Sequence, residues 1–74
     1  MFKKYYALAI GEKGETTLEL NYDSYKIVVY NNKTSAKRKL EELCLENEFE
    51  GKVINLTPLV QMGFISKKHL RIRD

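Results

Sequence analysis

Apolar side chains recur at every second position near the start of the chain, where Tyr6, Leu8 and Ile10 alternate with Tyr5, Ala7 and Ala9. A period of two is that of a strand. The bulkier set is expected to face the core, and the alanines to leave room on the other face for a further strand or a partner. Gly11-Glu12-Lys13-Gly14 reads as a hairpin loop whose glycines supply positive φ. Thr16 to Leu20 reads as the returning strand, with Leu18 and Leu20 on one face, and Asn21-Tyr22-Asp23-Ser24 as a polar turn. Tyr25 to Tyr30 is apolar on both faces apart from Lys26, which predicts a central third strand.

After Asn31-Asn32-Lys33 the period changes. Ala36, Leu40, Leu43, Cys44 and Asn47 fall on one helical stripe, with Phe49 near its end, Thr34 or Ser35 as the expected N-cap and Gly51 as the stop or turn. Val53 to Leu56 reads as a fourth short strand. Thr57-Pro58 reads as an N-cap followed by proline at the first helical position, opening one turn over Leu59 to Met62 that Gly63 closes. Leu70 and Ile72 alternate with His69, Arg71 and Arg73, as in a last strand with one basic face. The alternative for residues 59–70 is a helix-turn-helix, but Pro58 leaves only one helical turn before Gly63.

The order β-β-β-α-β, a short turn and a final β predicts an α+β fold. Its sheet, antiparallel or mixed with four to five strands, carries one main helix on one face and leaves the other open to solvent or a partner. Residues 1–74 read as a single domain. A domain of this size hides roughly 60% of the surface its unfolded chain exposes, too little to build both a core and a deep substrate cavity. The hydrophobic share of 43% beside 31% charged residues is that of a globular chain. Neither a signal segment nor a run of apolar residues long enough for a membrane is visible, so the expected location is cytoplasmic, with no membrane partner.

Chemistry is sparse. Cys44, the one cysteine, sits between Leu43 and Leu45 and reads as a small buried hydrophobe rather than a nucleophile. His69, the one histidine, has no acid or cysteine at relay or ligand spacing. With no nucleophile–base pair, carboxylate dyad or phosphate loop, the chain is expected not to be an enzyme and to hold no metal or cofactor.

Thirteen basic residues against ten acidic ones give a net charge of +3, which permits nucleic-acid binding without demanding it. Their order along the helix is less ordinary. Lys33, Lys37, Arg38 and Lys39 crowd its start and Glu46, Glu48 and Glu50 its end, the reverse of what the macrodipole favours. Lys33, Thr34, Ser35, Lys37 and Arg38, with Lys67, Lys68, Arg71 and Arg73 of the basic C-terminal segment, form a candidate anion or nucleic-acid contact. The plainer account is solvated charge, with Glu41 and Glu42 within helical reach of Lys37, Arg38 and Lys39, and a basic edge strand guarded against aggregation.

Five tyrosines are many for this length, and Tyr5, Tyr25 and Tyr30 are the expected interface on the open sheet face. Two functions follow. One is a small protein-binding module that modulates or inhibits a larger partner, a type common on phages and mobile elements, and able to self-associate as a homodimer through a sheet edge. The other is a nucleic-acid binder working through the helix start and the segment Lys67 to Arg73.

Overall fold

The computed structural model describes residues 3–73. Its elements are β1 (Tyr6–Glu12), β2 (Glu15–Leu18), β3 (Ile27–Tyr30), α1 (Lys33–Asn47), β4 (Glu50–Asn55), α2 (Thr57–Gln61), a 3-10 turn (Lys67–His69) and β5 (Leu70–Arg73). This is the expected α+β order: a mixed five-stranded sheet with one main helix.

β1 is the hub of the sheet. β4 runs antiparallel along one side of it, from Tyr6 opposite Asn55 to Gly11 opposite Glu50. Its other side is shared: β3 pairs with Tyr6 and Ala7, and β2 with Ala9 to Glu12. β5 lies parallel to β3 on the far side, Leu70 opposite Ile27 and Arg73 opposite Tyr30. Among the described residues β2, β4 and β5 each pair along their length with one strand, so each has an open side.

The sheet divides the core in two. On one face Leu8, Val28 and Tyr30 pack with Ala36, Leu40 and Leu43 of α1. On the other, Tyr5, Ala7, Val29 and Leu70 pack beneath Leu56, Val60 and Ile65, so α2 and the segment after it cover the face expected to be open. That cover explains why β3 is apolar throughout: both of its faces are buried.

Local chemistry departs from the expectations in three places. The N-cap of α1 is Asn32, whose Oδ1 accepts from the Ser35 N–H at 2.8 Å, while Thr34 and Ser35 lie within the helix. Thr57 opens α2 without capping it, because its hydroxyl oxygen accepts from the buried Tyr5 N–H at 2.8 Å and ties the start of β1 to α2. Gly51 lies inside β4, and α1 stops instead at Glu48, in the left-handed region at φ 55°. A non-glycine residue there is held against steric cost. Glu48→Gly is therefore expected to stabilise the fold by about 0.5–1 kcal/mol, raising the thermal midpoint by roughly 3–6 °C. An unchanged or lower midpoint in calorimetry would show that the helix end carries no such strain.

Candidate protein-interaction surface

The segment between β2 and β3 turns out from the sheet as a short hairpin built by its own hydrogen bonds. β2 and β3 both run antiparallel to β1 and, among the described residues, do not pair along their length; an isolated antiparallel bridge between Leu20 and Ile27 and an Asn21 N–H to Lys26 carbonyl bond of 2.7 Å close the loop between them. Asn21 then organises the loop: its Oδ1 accepts from the N–H groups of Asp23 at 3.0 Å and Ser24 at 3.3 Å, and its carbonyl accepts from the Tyr25 N–H at 2.8 Å. This is the Asx-turn chemistry that suits asparagine to turns. It leaves Tyr25 at φ 55°, a backbone position where glycine or asparagine is usual.

The strained position is not repaid by burial. Tyr25 is 79% exposed, Tyr22 is 95% exposed, and the two line a shallow hollow of about 170 Å³ with Leu20 and Asn21. Tyr25→Gly should relieve the backbone and stabilise the isolated domain by about 1 kcal/mol, read as a higher urea midpoint. A loss of stability would mean that the ring packs after all.

The other two tyrosines expected at an interface are inside. Tyr5, just before β1, is 3% exposed under α2 and Tyr30 of β3 is 4% exposed under α1, because the sheet is covered on both faces. Tyr25 is the one the structure exposes, and it stands in the turn before β3 rather than on the sheet. Burial, then the nearby Glu19 carboxylate, which accepts a 3.1 Å hydrogen bond from the hydroxyl, push the Tyr30 phenol well above its ordinary value of 10.0. The hydroxyl's contribution to stability is whole below that ordinary value and is lost as pH rises beyond it toward the raised one. Tyr30→Phe should therefore flatten the loss of stability above about pH 10, measured by urea denaturation across that range.

The basic residues do not gather on one surface. Arg71 and Arg73 pair with Val28 and Tyr30, residues of the α1-facing core, and so point to that side of the sheet. Ser35 and Arg38, with Lys39, Glu42 and Tyr30, line a hollow of about 150 Å³ beside it. Lys37 lies about 100° round the helix from the buried Ala36, on the flank opposite Ser35, and Lys33 shares its side. Thr34 falls on the outer surface, and Lys67 and Lys68 sit in the 3-10 turn before β5 with His69. The charge order along α1 is as the sequence has it, with no acid in the first turn and no base in the last. Lys39 Nζ and Glu42 Oε2, 3.7 Å apart, form the one ion pair among the described residues.

Leu20 and Tyr22 were not expected to join Tyr25 at a surface. The available signal was an aromatic ring inside an otherwise polar Asn-x-Asp-Ser turn, where nothing in the turn's own chemistry calls for one. Cys44 is half-buried on α1. Among the described residues no three His, Cys, Asp or Glu side chains come together as a metal site, and no helix is long and apolar enough to cross a membrane. No family model, curated protein or solved structure compared with this chain matches it.

Proposed function

We propose that this chain is a small non-enzymatic protein-binding module that modulates or inhibits a larger partner, and that it grips that partner with the hairpin tip Leu20, Tyr22 and Tyr25. The observation that carries the reading is the exposed ring of Tyr25 on a left-handed backbone, inside a loop already fixed by Asn21. Backbone strain that gains no packing in the free protein is the kind found at functional sites. A loop fixed in advance loses little entropy on docking, and tyrosine is a favoured anchor because it buries a large ring at the cost of two torsions.

The test is affinity. A Tyr22→Ser/Tyr25→Ser protein should keep its circular dichroism spectrum and urea midpoint yet bind the partner recovered with the parent chain at least about 30-fold more weakly, the effect of losing about 2 kcal/mol at a hot spot. Equal affinity would remove the hairpin tip from the interface.

The nucleic-acid reading draws on Arg38, Lys39, Arg71 and Arg73 sharing one side of the sheet. It requires affinity for labelled DNA or RNA that collapses between about 50 and 200 mM salt. Affinity that changes little over that range would reject it.

A further inference from the structure

Among the described residues no strand lies along the outer edge of β5, which has a charge pattern of its own. β5 pairs with β3 alone among the described residues, so every second residue of Leu70–Arg73 turns its N–H and C=O away from the sheet. The two faces of this edge differ. Arg71 and Arg73 point to the α1 side, about 6.6 Å apart along the strand. α1 packs over β4, β1 and β3, and both arginines remain exposed, neither with an ion-pair partner among the described residues. Ile72 points to the opposite side, next to the buried Val29, and is 45% exposed at the rim of the α2-covered core.

A second copy of the chain does not suit this edge. In an antiparallel β5–β5 pair that keeps like faces together, Arg71 falls opposite either Arg71 or Arg73 of the other copy. Like charges directly opposite oppose pairing. The edge is thus guarded against itself, which is a common use of basic residues on edge strands. The same guard is an invitation to the opposite charge.

We propose that β5 is a docking edge for an extended acidic segment of a protein partner, added as a sixth strand with acidic side chains opposite Arg71 and Arg73 and an apolar one against Ile72. Main-chain hydrogen bonds hold such a strand and the alternating side chains select it. The proposal rests on the reading of the chain as a protein-binding module, but it uses a surface separate from the hairpin tip.

The probes are hexapeptides alternating Glu with Val or Lys with Val, a Glu-Val peptide with a central proline, and an oligothymidylate. Each is titrated into isotopically labelled protein at about 0.1 M salt, where exposed charges are already screened beyond about 10 Å. The expected result is amide shifts and slowed hydrogen exchange at residues 70–73 with the Glu-Val peptide, at least about tenfold tighter binding than of the Lys-Val or proline peptide, and the reverse charge preference in an Arg71→Glu/Arg73→Glu protein. Four results overturn it: no response at residues 70–73, equal binding of acidic and basic peptides, equal binding of the proline peptide, or a response to oligothymidylate alone.

The Tyr22→Ser/Tyr25→Ser protein separates this proposal from the hairpin reading. It should bind the Glu-Val peptide as the parent does. Peptide binding with an intact partner affinity in that variant sinks the hairpin reading only, and lost peptide binding with a weakened partner affinity sinks the β5 proposal only.

Discussion

Gly51→Ala is expected to lower stability by about 3 kcal/mol, the upper range for forcing an extra carbon into a packed site. Gly51 lies opposite Ile10 in the β1–β4 ladder. A Cβ built there would meet the Ala9 carbonyl oxygen, the Ile10 side chain and Leu40 of α1. Leu40 can shift by rotating, but the carbonyl belongs to the central strand of the sheet. Relief therefore requires β4 to move away from β1 or α1 to lift from both. A domain of this length has roughly 4–11 kcal/mol in total, at the usual 0.05–0.15 per residue, so the change removes a large part of it. With a urea slope of about 1 kcal/mol/M, the midpoint should fall by about 3 M. A fall of less than about 0.5 M would mean that β4 yields without consequence. Adding Leu40→Ala should recover part of the loss, a coupling that independent sites would not show.

Glycine at that position shows why the fold was partly legible and partly not. In sequence, Gly51 follows a helical stripe and suits a stop; in space the stop is three residues earlier, at Glu48, and the glycine serves the close approach of helix and sheet. Short-range pattern reports period and turn chemistry, and from those the strands, the main helix and their order could be read. It does not report which distant segment covers which face. The continuous apolar run of β3 already carried the information that both sheet faces are buried, but only the packing of Leu56, Val60 and Ile65 identifies the cover. That cover accounts for the burial of Tyr5, whereas Tyr30 is buried on the opposite face, beneath α1. Side-chain competition for backbone groups is equally hidden: Thr57 has the sequence position of a cap, yet its hydroxyl is taken by Tyr5, 52 residues away.

The candidate surfaces divide along the same line. Tyr25 was legible as an exposed aromatic, but its left-handed backbone was not, because a tyrosine adopts that region only when the surrounding hairpin imposes it. Arg71 and Arg73 were legible as the polar face of an edge strand. The separation of Lys33 and Lys37 from Ser35 and Arg38 to opposite flanks of α1 needed the helix to be docked, since a linear cluster of charge says nothing about which side of a cylinder each member takes.

Leu8→Ala should cost about 3–4 kcal/mol, the range for deleting a fully buried leucine whose surroundings cannot collapse. Leu8 has no exposed surface and sits on β1, opposite Val53 of β4, while its carbonyl accepts the Glu19 N–H at 2.9 Å on the other side. Held from both sides by neighbouring chain, β1 cannot bend to fill the space, and α1 above it is fixed by Ala36 against the same layer. Val29→Ala, on the opposite core, removes fewer carbons beneath a cover of one short helix and should cost less, about 2 kcal/mol. Leu45→Ala, at an 86% exposed position on α1, should stay within about 0.5 kcal/mol. Urea denaturation followed by far-UV circular dichroism gives all three on one scale. If Leu8→Ala and Val29→Ala unfold with a single transition and a common slope, the two cores are one cooperative unit joined through β1 and β3. A loss for Leu8→Ala no greater than for Leu45→Ala would show that α1 does not rest on the sheet as described.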